Sequence, residues 1–474
     1  MLQKSFNYVV SNVKLRNIFG TLLSIYLGSW VFAYFILVLR IHDGDRSFTE
    51  ISNIIFEQIF PNGTYLMIHH AFFGLLILIF LCIRYFIQVY KKYGATTFFK
   101  RLGLRFLLPI GLVFLGFKVL IYNNSNEDNN YIWDVSAINR TGKVKRHFEY
   151  DGKQRGMSVF GWRGDKSEAM DDLIKTNIEW IAVVPFLYQE NERTKVMDTP
   201  RVKEGYDRRD SMFIANIQKM KEKGLYIHLK PHLWMSDGWR SDVSMDSEEE
   251  WETWFQSYRT NMLHYARMAE FTGAELFCVG TELRSSIKKQ PEAWCGLIAE
   301  IKQIYSGKLT YAANWYDEYE HVVFWDELDF IGIQAYFPLT DTQNPDLETI
   351  KKGWGPHLQS LELFFKQYEK PILFTEVGYK SDALATVKPW EWGNALSILH
   401  RKKSDRTQQL AYEALFQEVW HKEWFAGMHI WEWNTESTPE GAKTNLNFSP
   451  RFKPAENVIS KWYGKKVKNE AIQN

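Results

Sequence analysis

Two runs, Phe277-Cys278-Val279-Gly280-Thr281-Glu282-Leu283 and Pro371-Ile372-Leu373-Phe374-Thr375-Glu376-Val377-Gly378-Tyr379, each carry an apolar stretch into a Thr-Glu pair. Each stretch has the length of a buried strand. If both strands belong to one parallel barrel, carboxylates at their carboxyl ends face the cleft in which such barrels do chemistry. Double displacement at an anomeric carbon needs two carboxyl groups roughly 5 to 5.5 Å apart, one to attack and one that first gives and then takes a proton. That is the chemistry of a retaining glycosidase. The carboxylates supply both the covalent and the proton-transfer steps, so no metal or organic cofactor is called for.

Both carboxylates need a barrel to bring them together, and the pattern around them supplies one. Short β-branched or apolar runs alternate with longer amphipathic segments, the sign of βαβ units and a parallel sheet. Eight strands are expected at 156–162, 178–185, 225–230, 275–280, 309–314, 330–335, 371–375 and 427–433. Helices are expected at 211–223, ending before Gly224, at 247–272, ending before Gly273, and at 404–420, where Leu410, Leu415 and Val419 share a face. After the fifth strand, residues 316–326 are short and aromatic, the weakest helical signal.

A barrel of this kind takes about 250 residues, so a chain of 474 has room for an appendage. With 24% charged and 46% hydrophobic residues the chain has the composition of a folded protein, and a formal net charge of +1 argues against a nucleic-acid partner. Cys82, Cys278 and Cys295 lack metal or redox spacing and are expected to be free, buried thiols.

The appendage is apolar. Residues 17–39 and 65–83 are uncharged, the second interrupted only by His69 and His70, and 106–122 forms a third run containing Pro109 and Lys118. Each approaches the length needed to cross a bilayer. Lys4, Lys14 and Arg16 precede the first run, and Arg84, Lys91, Lys92, Lys100, Arg101 and Arg105 follow the second. The loop between them carries Asp43, Asp45, Glu50 and Glu57 against Arg46. Basic loops stay inside, so the amino terminus is expected inside, with everything after Tyr122 on the outer (periplasmic or extracellular) side of a cytoplasmic membrane. His69 and His70 have no matching partners in another span and are expected to pack rather than bind metal or haem.

All tryptophans but Trp30 and Trp133 lie beyond residue 150, several near strand ends, so membrane anchoring does not account for them. Indole faces suit the flat C–H faces of sugar rings. The chain here resembles clan GH-A glycoside hydrolases, and within that clan glycoside hydrolase family 113, the β-1,4-mannanase-type barrels. The resemblance covers roughly 150–465 and rests on Val279-Gly280-Thr281-Glu282-Leu283, Phe330-Ile331-Gly332-Ile333-Gln334-Ala335-Tyr336, Phe374-Thr375-Glu376-Val377-Gly378-Tyr379 and Gly427-Met428-His429-Ile430-Trp431-Glu432-Trp433. It implies Glu282 as acid/base and Glu376 as nucleophile, with Glu282 kept protonated by burial and Glu376 kept ionised by hydrogen bonds. Tyr336 resembles the tyrosine that donates to the nucleophile, and Trp431 or Trp433 the tryptophan beneath the reacting sugar. Where many clan members have Asn before the acid/base, this chain has Thr281.

Lys230, His232, Asn314, Trp315 and Gln334 stand near strand ends, with Lys230, His232, Asn314 and Trp315 as further candidates for substrate contact. Asp165, Glu190, Asp237, Asp317 and Glu432 are competing carboxylates, and regular alternation along the eighth strand turns Glu432 away from the cleft. The expectation is a transmembrane region of about three helices (1–122), a linker (123–150), a (β/α)8 TIM barrel (151–465) and a tail (466–474). Its partners are membrane lipid and a β-linked oligo- or polysaccharide: mannan, glucomannan or manno-oligosaccharides cleaved at β-1,4-mannosidic bonds. The alternatives are a β-glucan hydrolase of the same clan and a catalytically silent carbohydrate-binding protein.

Overall fold

The structure, a computed structural model, describes residues 15–41, 48–60, 63–125, 132, 134, 136–161, 167–197, 207–393 and 397–467. Lys4, Lys14, Asp43, Asp45, Arg46, the strand end at Trp162, Asp165 and the tail beyond 467 lie outside the described residues. The chain divides into two compact units, Met1–Gly116 and Phe117–Asn474.

In the first unit, helix α1 (Leu15–Ile41) leaves Leu27, Phe32, Phe35 and Leu39 exposed. By length and composition two helical stretches are apolar enough to cross a membrane, Gly20–Arg40 and Tyr65–Ser125. The second contains both later runs. Its helix Gly63–Leu102 is broken at Gly94, whose φ of 74° and ψ of 177° are not helical. Phe86 meets Phe98 at 5.7 Å and Phe106 at 5.5 Å between ring centroids. On a straight helix, Phe86 and Phe106 would stand about 30 Å apart, so the chain doubles back at Gly94. Glycine alone adopts this conformation without strain. His69 stacks on Trp30 at 3.9 Å with Nε2 3.2 Å from Ser29 Oγ, joining α1 to the Gly63–Leu102 helix.

In the second unit ten strands run in chain order: β1 (Gln154–Phe160), β2 (Trp180–Val183), β3 (Phe186–Gln189), β4 (Tyr226–Leu229), β5 (His232–Met235), β6 (Leu276–Thr281), β7 (Lys308–Asn314), β8 (Phe330–Gln334), β9 (Ile372–Val377) and β10 (Phe425–Asn434). Eight close a parallel barrel in the order β1-β2-β4-β6-β7-β8-β9-β10, matching the eight expected strands. Pairing of β3 with β5 was not anticipated. Pro185 and Pro231, without N–H donors, interrupt the ladder after β2 and β4, and beyond them the same two chains pair again as a small parallel sheet.

Helices cover the barrel where caps and periodicity place them. Ser247 caps Glu248–Thr272 through Glu250 N, and Gly273 closes it at φ 64°. Ser404 caps Asp405–Val419. The helix expected from Ser211 starts at Arg208, because Asp207 supplies the capping box. After β7 the segment forms only two short turns, Tyr319–His321 and Trp325–Glu327, tied by Trp325 Nε1 donating to Tyr319 O. Residues 136–150 of the expected linker are anchored to the barrel: Asn177 Nδ2 and Ser460 Oγ both donate to Ala137 O, and Glu179 accepts from the amides of His147 and Phe148. Cys278 is buried, whereas Cys295 is exposed on a helix surface, contrary to expectation.

Candidate active site

Glu376 stands near the carboxyl end of β9, where Thr375 and Glu376 together oppose one residue of β10 in a bulge. Lys230, the residue after β4, is fully buried and donates to Glu376 Oε1 at 2.6 Å and to Thr375 O at 3.0 Å. Tyr336 OH donates to Glu376 Oε2 at 2.9 Å, and His232 Nε2 lies 3.3 Å from Oε1. Burial pushes the Glu376 carboxyl above its ordinary range, and the Glu282 charge adds to that; Lys230 and Tyr336 pull it back down. The nucleophile candidate, expected to be kept ionised by hydrogen bonds, has two donors that favour its ionised form, but burial outweighs them and leaves its pKa raised.

Glu282 follows β6 at φ 51°, a left-handed backbone unusual for a non-glycine residue. A relay holds it there. Glu282 N donates to Ala312 O at 2.9 Å, and Ser241 Oγ donates to Glu282 O at 2.9 Å. Leu283 N donates to Tyr311 OH at 2.7 Å, and Tyr311 OH donates to Glu318 Oε1 at 2.6 Å. Glu318 Oε2 accepts from Asn314 N at 2.9 Å. Burial lifts the Glu318 carboxyl to about 8. The Glu282 carboxylate itself accepts from Arg240 Nε at 3.0 Å and Asn314 Nδ2 at 3.1 Å.

Both glutamates line one cavity of about 800 Å³ at the carboxyl-terminal mouth of the barrel. Tyr336, Trp431, His232, Asn314, Trp315 and Gln334 line it with them, as expected from their strand-end positions. Trp431 lies parallel to His232 at 6.0 Å and edge-on to Phe160 at 4.7 Å. Trp390 packs on Trp315 at 5.2 Å, and Trp392 on Trp431 at 5.9 Å, so the chain after β9 adds two indoles to the cavity lining.

Four expectations need correction. Trp433 is fully buried beneath the Arg451 guanidinium at 5.3 Å and does not line the cavity. Glu432 does line it. Both follow from a bulge in β10: Trp431 and Glu432 together oppose the single residue Ser158 of β1, which breaks the alternation on which the expectation rested. Thr281 is buried with Oγ1 3.8 Å from Cys278 Sγ, because a bulge at Val279 and Gly280 re-aims the end of β6. Lys230 lies beneath Glu376 rather than in the cavity wall. Asp317, in turn, pairs with Lys288 at 2.9 Å.

Arg240, Tyr311, Glu318, Phe160, Phe186, Glu391 and Phe448 were missed. Arg240 and Phe448 sit in loops without periodicity, and only the folded chain brings them to the site. Among the described residues no group of three or more His, Cys, Asp or Glu side chains is arranged to hold a metal ion.

A closed eight-stranded parallel barrel with paired glutamates and an indole-lined mouth defines a glycoside hydrolase of the TIM-barrel type. The chain belongs to Glycoside Hydrolase Family 113, whose family model matches residues 156–453. A family 113 β-1,4-mannanase solved as a complex is 27% identical, with a TM-score of 0.57 over 66% of this chain and 99% of that one. The family 113 β-mannanase of Alicyclobacillus acidocaldarius is 28% identical, with a TM-score of 0.58 over 66% of this chain and 97% of its own. Among curated proteins none matches the sequence.

Proposed function

We propose that this glycoside hydrolase cleaves β-1,4-mannosidic bonds in mannan, glucomannan or manno-oligosaccharides with retention, Glu376 acting as nucleophile and Glu282 as acid/base. The observation that carries the reading is the unlike support of two glutamates facing one cavity. Glu376 is backed by a buried ammonium and a phenol, Glu282 by a guanidinium and an amide. The mannanase names of the 27–28% identical structures supply the sugar.

In the first step a Glu376 oxygen attacks the anomeric carbon of the sugar resting on Trp431. Glu282 gives its proton to the glycosidic oxygen, the C–O bond breaks, and a glycosyl ester remains. Lys230 and Tyr336 hold the attacking carboxylate in one orientation through Oε1 and Oε2. In the second step Glu282 takes a proton from water, the hydroxide adds to the anomeric carbon, and the ester bond breaks. The leaving carboxylate returns to the same two donors. The proton that Glu282 gives up in the first step is returned from water in the second, so the pair ends the cycle as it began.

We further assign the apolar amino-terminal region to the cytoplasmic membrane with the barrel on its outer side. The basic residues around Lys91 and Arg101 and the reversal at Gly94 support this, since the reversal makes separate spans of 65–83 and 106–122.

Product analysis on defined β-1,4-manno-, gluco- and mixed oligosaccharides tests the substrate. Cleavage of manno-linkages is expected, and cleavage confined to glucose-only chains contradicts the mannan assignment. Glu282→Ala and Glu376→Ala should fold and bind oligosaccharide while turnover drops by orders of magnitude. Azide should partly restore Glu376→Ala and yield the glycosyl azide of inverted configuration. Wild-type turnover in either variant contradicts the roles.

A further inference from the structure

Glu432 is a cavity-facing carboxyl that the proposed reaction does not use. Its position is imposed by the β10 bulge, which turns it and Trp431 together toward the mouth of the barrel. The other carboxylates lining the cavity are all bonded to protein: Glu282 to Arg240 and Asn314, Glu376 to Lys230 and Tyr336, and Glu391 to Arg401. Glu432 alone among them makes no hydrogen bond or ion pair to any described residue. Burial, with the Glu376 charge beside it, lifts its carboxyl to about 7, while the Lys453 charge pulls the other way.

No described residue bonds this carboxyl, so a ligand that fills the cavity has to supply its hydrogen bonds. When a sugar ring settles on Trp431 and closes the carboxyl off from solvent, leaving it without partners is costly. A pyranose ring offers what is needed at that moment, one hydroxyl or a neighbouring pair. An ionised carboxylate accepts from both members of a pair, and a protonated carboxyl accepts from one hydroxyl and donates to the other. Sites that hydrogen-bond a substrate hydroxyl discriminate strongly against the analogue lacking it, because the buried partner is then left unpaired.

We infer that Glu432 is the sugar-recognition carboxyl of the site, binding ring hydroxyls of the residue that rests on Trp431 and so setting which sugars are cleaved. The inference rests on the glycoside-hydrolase reading of the cavity, but not on mannose as the sugar. Glu432 takes no part in bond making or breaking. Its substitution should therefore change the discrimination between substrates, which a merely structural residue would not do.

The test uses the full-length enzyme in detergent and aryl β-glycosides of the sugar that the wild type cleaves, together with their 3-, 4- and 6-deoxy forms. Glu432→Ala should lower kcat/KM for the parent glycoside by about 10- to 100-fold. At one or two deoxy positions, the penalty seen with the wild type should shrink to near unity in Glu432→Ala. Glu432→Gln keeps the shape and one acceptor and should fall between the two, with unchanged thermal stability showing that the fold is intact. Equal deoxy penalties in wild type and Glu432→Ala, or an unaltered kcat/KM, would overturn the inference. Cleavage of β-glucosides but not β-mannosides would defeat the mannan assignment alone, and the same deoxy series on glucosides would still decide the role of Glu432.

Discussion

At the scale of the residue, the nucleophile's surroundings make a testable demand. Glu376 sits out of water, and its ionised form depends on the buried Lys230 ammonium at 2.6 Å. Burial raises its pKa and Lys230 lowers it, so removing the lysine must raise it further. Attack requires the carboxylate, which exists above that pKa. In Lys230→Met the acid limb of the kcat/KM profile should therefore move to higher pH, and kcat should fall on the order of 10²-fold, as when a single preorganised charge-stabilising donor is lost. An acid limb that stays in place would show that Lys230 does not govern the ionisation of Glu376. Both glutamates were legible in the sequence because each ends a short apolar run, a local signal. Arg240 was not, since nothing near it in sequence marks a loop guanidinium that will meet Glu282.

At the scale of the element, the eight barrel strands were legible because an apolar run bounded by polar segments needs no tertiary knowledge to recognise. Their bulges were not. Alternation assumes a regular pleat, and bulges in β6, β9 and β10 break it near the three strand ends that build the site. That is why Trp433 and Thr281 were expected in the cavity and Glu432 outside it. The left-handed turn at Glu282 is likewise invisible locally, because the groups that hold it come from β7, the turn that follows it and Ser241 in the loop after β5. Tyr311→Phe removes the hydroxyl shared by Leu283 N and Glu318, leaving a buried amide and a buried carboxyl oxygen without that partner. A loss of about 1–3 kcal/mol in stability is expected from chemical denaturation, with kcat reduced because the Glu282 backbone relaxes. Full activity at unchanged stability would mean that the relay does not hold the turn.

At the scale of the whole molecule, the proposed assignment of the apolar amino-terminal region to the cytoplasmic membrane, with the glycoside hydrolase barrel on its outer side, makes a topological demand. Protease added to intact spheroplasts should digest residues beyond 150 while the amino terminus stays protected, and complete protection of the barrel would reverse the assigned orientation. The central claim, retention through a covalent intermediate on Glu376, is tested most directly with a 2-deoxy-2-fluoro-β-mannosyl fluoride. Its good leaving group lets the first step proceed while fluorine slows the second. Mass spectrometry of the digested, inactivated enzyme should find one fluorosugar on the peptide containing Glu376. An adduct on any other residue, or no adduct together with an α-configured first product from a β-mannoside, would contradict the account.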